Sequence, residues 1–178
     1  EAGQDIVAAK HGVPAQSLYS YALSAGFLIV ALIAPLLSGI ADSRGNKLAF
    51  LKVFCYLGAA SCASLAFFTL DGIWWGLGLV ALACIGFSGS LVFYDAFLVD
   101  IASKDQHDKV SARGYTMGYI GSVILLLVNL LMVMNPDWFH LPNEITIGDT
   151  TYVGVPARTT FITVGLWWAG FAQIAFRR

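Results

Sequence analysis

The chain has 178 residues, of which 58% are hydrophobic and only 12% charged, and its formal net charge is −1. A soluble domain carries about a quarter of its residues as charges, so this chain lacks the polar surface to cover a water-facing fold. No basic tract of the kind that binds phosphate appears, so no nucleic-acid partner is expected, and lipid is the solvent that the composition suits.

Crossing the hydrocarbon core takes about 20 helical residues. Five stretches meet that length, so the expected fold is an all-α integral membrane protein of about five transmembrane helices. Residues 1–18 read as an external loop. The first span is 19–41, with Pro35 late in it. A tight charged loop over 42–49 leads to the second span, 50–70, where Lys52 can snorkel to the boundary. Asp71-Gly72 makes a very short turn into the third span, 73–93, which is rich in small residues. A mixed-charge connection covers 94–114, and the fourth span is 115–134. A longer loop over 135–158 carries Pro136, Pro142 and Pro156, and the fifth span is 160–176. Within that loop, Ile145 to Ile147 and Thr150 to Val153 flank Gly148-Asp149, which suits a type II′ hairpin.

Lysine and arginine set the orientation. Arg44, Lys47, Lys52, Lys104, Lys109, Arg113, Arg177 and Arg178 fall on one side, and only Lys10 and Arg158 on the other. The first side is therefore expected to be cytoplasmic. Trp74, Trp75 and Trp138 then lie at the outer interface, as an aromatic belt requires. Trp167 and Trp168 fall mid-span and read as packing or pathway residues. The segment before the first span lies outside, an arrangement natural for a chain that lacks its opening helix. The chain is accordingly read as a fragment.

In a bilayer, helices associate through small residues rather than through hydrophobicity. Gly86 and Gly89 in the third span, Gly114 just before the fourth, and Gly118 and Gly121 within it are the expected packing positions. Static packing explains any one of them; their density across neighbouring spans suggests a bundle that moves. Cys55, Cys62 and Cys84 lie in apolar runs with no histidine in their segments, so they read as small core residues. No metal site and no cofactor is expected. His11, His107 and His140 lie in separate loops without ligand spacing, which argues against a membrane-embedded enzyme.

The loop Ser38-Gly39-Ile40-Ala41-Asp42-Ser43-Arg44-Gly45-Asn46-Lys47 sets an acid at one helix end, a glycine at the turn and basic residues at the next helix. A carboxylate at a membrane edge needs a guanidinium or a helix N-terminus as partner. The alternative is an ordinary charged inside loop. The segment resembles the signature loop between the second and third helices of the major facilitator superfamily, G-x-x-x-D-R-x-G-R-K. Asp42, Gly45 and Lys47 match, whereas Ser43 and Asn46 stand where basic residues are usual. The resemblance implies that Asp42, with Arg44, Gly45 and Lys47, gates the contact between two transporter halves.

Tyr94-Asp95-Ala96-Phe97-Leu98-Val99-Asp100-Ile101-Ala102 is followed by Ser111-Ala112-Arg113-Gly114-Tyr115-Thr116-Met117-Gly118-Tyr119-Ile120-Gly121-Ser122. Both pieces, and the Trp167-Trp168 pair, are similar to the vacuole-effluxer branch of that superfamily, whose fungal members are autophagy-related amino-acid exporters. In the first piece Asp95 stands where asparagine is usual and Val99 where proline is usual. The resemblance implies the N-terminal half of a secondary transporter, partnered by its own C-terminal half. Its cargo is a small solute, amino acids being one class, moved by alternating access with a proton as one coupling ion, in a bacterial inner membrane. Asp95 reads either as a coupling acid or as part of the loop electrostatics with Lys104, Lys109 and Arg113. Asn129, deep in the fourth span, reads either as a solute-facing amide or as an inter-helix hydrogen-bonding group. A non-transporting scaffold accounts for the composition equally well, but not for the signature loop and glycine motifs together.

Overall fold

Apolar runs in lipid must satisfy their backbone groups internally, and five of them here do so as helices. The computed structural model describes residues 12–44, 46–101, 103 and 105–177, leaving out the side chains of 40–44, 98, 99 and 101. Helix α1 is Ala15–Arg44, α2 is Lys47–Ser64, α3 is Ile73–Ile101, α4 is His107–Met134 and α5 is Val155–Phe176. All five are long and apolar enough to cross a membrane, so this is an all-α integral membrane fold.

The helices outrun the apolar stretches that seed them. α1 has 30 residues, a length of about 45 Å, against a hydrocarbon core of about 30 Å. Once a helix is nucleated, each further residue adds a hydrogen bond at little cost, so polar flanks continue the helix into water. The connection expected over 94–114 is therefore mostly helical, with α3 ending at Ile101 and α4 starting at His107. Likewise α1 reaches Arg44 and α2 begins at Lys47, leaving a minimal link.

The neighbours run in the order α1, α3, α2, α5, α4. The α2–α3 seam is the closest. Phe93 is 1% exposed and stacks on Phe50 and Phe54 of α2, with ring centroids 5.2 and 5.6 Å away. Trp168 of α5 covers Gly58 of α2 and meets the Phe87 ring of α3 edge-on at 6.3 Å, joining three helices. α4 is the loosest member; Asn129 and Met132 are its buried residues, and Leu126, Leu127 and Met117 lie open.

At the opposite end from Lys47, α2 tightens into the 3-10 turn Leu65–Phe67, and a second turn, Leu70–Gly72, leads into α3. Between α4 and α5, strands β1 (Glu144–Ile147) and β2 (Thr150–Val153) pair antiparallel, with Ile145 opposite Tyr152. Gly148 has φ 62° while Asp149 is not at positive φ, the φ pattern of a type II′ turn. The Asn143 carbonyl closes the hairpin base by accepting from the amides of Gly154 and Val155 at 2.8 and 3.2 Å.

Candidate gating and pathway residues

At the basic end, α2 begins beside the end of α3. Lys47 Nζ lies 2.9 Å from Asp100 Oδ2 and donates to the Ala96 carbonyl at 3.5 Å. Each charge is disfavoured by the dipole of its own helix and favoured by that of its antiparallel neighbour, so the pair closes this end crosswise. The Lys47 side chain is 18% exposed and Asp100 is 50% exposed, so water screens the pair and its stabilisation is below about 1 kcal/mol. Its value is in alignment. Asp42 and Arg44 fall on the last turn of α1; their side chains, and Gly45 altogether, lie outside the described residues. Of the four gating candidates, the structure thus describes the side chain of Lys47.

Asp95 is exposed on α3. Among the described residues no ion pair joins it to Lys109 or Arg113, and Lys104 lies outside them. Tyr94 beside it meets Tyr115 of α4 edge-on at 6.4 Å, and its hydroxyl abuts Gly114.

Asn129 is 8% exposed, and its Oδ1 accepts from Thr163 Oγ1 of α5 at 2.7 Å. It sits in the seam between α4 and α5, where an amide in hydrocarbon finds its partner across the helices. Trp167 lies one turn further along α5, tilted on Phe171 with ring centroids 4.7 Å apart, and reaches toward Gly121. Nearer the basic end, the Tyr56 hydroxyl of α2 donates to Gln173 Oε1 of α5, and Lys52 Nζ lies 5.5 Å from the centre of the Phe176 ring.

The glycines differ in what they permit. A Cβ on Gly86 would lie 2.5 Å from Gly58 Cα and 2.9 Å from the Phe54 carbonyl oxygen, so α2 and α3 meet backbone to backbone there. A Cβ on Gly89 would strike the Phe54 ring, and one on Gly114 the Tyr94 hydroxyl. Gly121 has ordinary room beside Trp167, whose Nε1 would stand 3.7 Å from a Cβ added there. Gly118 has nothing within 4 Å, so among the described residues nothing packs against it. Spacing by four puts Gly114 and Gly118 near one face, but of the two only Gly114 meets a neighbouring side chain among the described residues.

Three contacts were not singled out by sequence reasoning. Gly165 meets the Ala59 carbonyl and the Ala63 methyl, at 2.7 and 2.8 Å from a Cβ placed on it. The Tyr56–Gln173 bond is the second, and Arg158 is the third. Arg158 donates from Nε to the Val153 carbonyl at 2.8 Å, and from Nη1 to Ala66 and Phe68 at 2.9 and 2.5 Å. The one available signal was a lone arginine on the side that the charge bias leaves nearly empty.

A cleft of about 60 Å³ opens between α1 and the α2–α3 pair, lined by Ile33, Ala34, Phe54, Gly89 and Phe93 among others. Its wall is apolar throughout, so it offers a polar solute nothing to orient it. Among the described residues no cluster of His, Cys, Asp and Glu is placed to hold a metal.

Comparison with known proteins supplies what the geometry does not. The family described as "Vacuole effluxer Atg22 like" matches residues 6–177. The chain is 34% identical over 167 residues to a Bacillus subtilis (strain 168) protein named "Uncharacterized MFS-type transporter YxiO". That alignment covers 92% of this chain and 37% of the relative, so the chain spans just over a third of the relative's length. No solved structure matches significantly.

Proposed function

The chain belongs to the vacuole effluxer Atg22-like family, and from that premise we propose that it is part of a secondary transporter of the major facilitator type. The observation that carries the reading is the similarity over 92% of the chain to a protein named as an MFS-type transporter. The cargo is a small solute, with amino acids the first class to test, moved by alternating access of two helical halves around a site near the midplane. This chain supplies five helices of the first half, in the bacterial inner membrane, with its basic end in the cytoplasm. The C-terminal half of the same protein is its partner, and a proton is its coupling ion.

The architecture supports this reading in two ways. α2, α3 and α5 form a tight unit on glycine and alanine contacts, whereas α1 and α4 carry long uncovered apolar faces that suit lipid or further helices. The end of α1, with Asp42 and Arg44, and the start of α2, with Lys47, lie at the same end as Asp100. Asp42 is the gating acid in this reading.

The gene on either side of the segment should encode one apolar helix upstream and about six downstream. In the natural full-length protein, reconstituted into vesicles preloaded with a radiolabelled amino-acid mixture, efflux should exceed that of empty vesicles. Asp42→Asn should reduce it strongly while insertion stays near normal. Undiminished flux in that variant removes the gating role, and absence of any flux with a labelled solute panel removes the transporter reading.

A further inference from the structure

Arg158 stands in the first turn of α5, where a positive charge opposes the helix dipole. It is also on the side of the protein that carries few basic residues. Both facts call for a compensating partner, and no carboxylate among the described residues provides one. The guanidinium instead spends its donors on three carbonyls from two separate segments. Ala66 lies in the closing 3-10 turn of α2, and Phe68 in the extended residues after it, where the carbonyls have lost their helical partners. Val153 ends β2. The carbonyl end of α2 thus supplies the negative pole that the first turn of α5 denies.

The aromatic neighbours complete the tie. The guanidinium carbon lies 5.2 Å from the centre of the Tyr152 ring, and Tyr152 meets Phe67 edge-on at 6.3 Å. An isolated two-stranded hairpin is marginal in water, and this one pairs four residues with four. Its placement therefore depends on what anchors it. Arg158 bonds β2 with one edge of its fork and α2 with the other, a geometry that a lysine ammonium cannot reproduce.

We propose that Arg158 is a strap that fixes the hairpin to the end of α2, so that the hairpin moves with the α2–α5 pair as one body. Two further ties along the same pair, Gly165 on Ala59 and Tyr56 to Gln173, extend that body toward the basic end. That the body stays intact while the protein changes conformation rests on the transporter reading above; the strap itself does not.

The test uses the full-length protein in lipid with Cys55, Cys62 and Cys84 replaced by alanine. Spin labels at Val53→Cys in α2 and Thr151→Cys in the hairpin report the tie, and labels at Val53→Cys and Leu166→Cys report the α2–α5 seam. With Arg158 present, both pairs should give one narrow distance. Arg158→Gln should broaden the hairpin pair several-fold while the seam pair and the melting temperature hold. A narrow hairpin distance in Arg158→Gln overturns the strap, and so does equal broadening of both pairs, which marks general loosening. Should Arg158→Gln fail to insert, Arg158→Lys decides: it keeps the charge but not the fork, so it should broaden the hairpin pair too, and a native-like distance overturns the proposal. These distances are read without any flux, so failure of the transporter reading is separately visible.

Discussion

At the scale of single residues, the two ends of the bundle solve their electrostatics differently. Lys47 and Asp100 answer each other across antiparallel helix ends, while Arg158 answers backbone carbonyls. Because the first pair is water-screened, Lys47→Ala should change the melting temperature little, corresponding to less than about 1 kcal/mol. A larger loss measured by thermal unfolding in detergent would show that Lys47 holds more than this screened pair. Glycine positions make a sharper contrast. Gly86→Ala forces a methyl against the backbone of α2 and should destabilise by about 1–3 kcal/mol. Gly118→Ala, with open space around it, should fall within about 0.5 kcal/mol of the parent. Equal effects in a paired melting experiment would contradict a backbone-to-backbone seam at Gly86. Gly86 and Gly118 are indistinguishable in the sequence, since both are glycines in an apolar helix; only the path of the neighbouring helix separates them.

At the scale of elements, α4 and the hairpin are the parts held by few contacts. The Asn129–Thr163 hydrogen bond is a polar tie of α4 to α5. Asn129→Leu should cost about 1 kcal/mol and raise hydrogen exchange along α4 more than along α2. Uniform exchange across both helices would refute that division. The turn of the hairpin needs Gly148 at φ 62°, so Gly148→Val should destabilise it by about 1–2 kcal/mol. Limited proteolysis between Asn143 and Gly154 is the readout, and unchanged cleavage would mean that the strap alone holds the strands. The hairpin was legible in the sequence because its signal is local: Gly148-Asp149 between two short β-prone runs. The continuation of α3 and α4 through the polar residues 94–101 and 107–114 was not, because hydropathy reports where lipid ends rather than where a helix does.

At the scale of the whole molecule, five helices and a charge bias give the chain a direction across the membrane. In the full-length protein, a cysteine at Thr151 should react with a membrane-impermeant maleimide added outside intact cells, and one at Lys109 only after the cells are opened. The reverse pattern would invert the orientation, together with the cytoplasmic assignment of the Lys47–Asp100 end. The family assignment also belongs to this scale, since it rests on 6–177 as a whole rather than on any one site.

The sequence by itself determined that this chain suits lipid and that five of its stretches are long and apolar enough to cross it. That information is local: each helix satisfies its own backbone hydrogen bonds, so a window of about 20 residues is enough to recognise a span. Which helices touch, and through which side chains, only the tertiary structure decided. In a bilayer the lipid is as apolar as the helices, so hydropathy cannot choose a partner; surface fit does. Gly86 on Gly58, Gly165 on Ala59, Trp168 at the junction of three helices, and Arg158 tying β2 to α2 are all products of that fit.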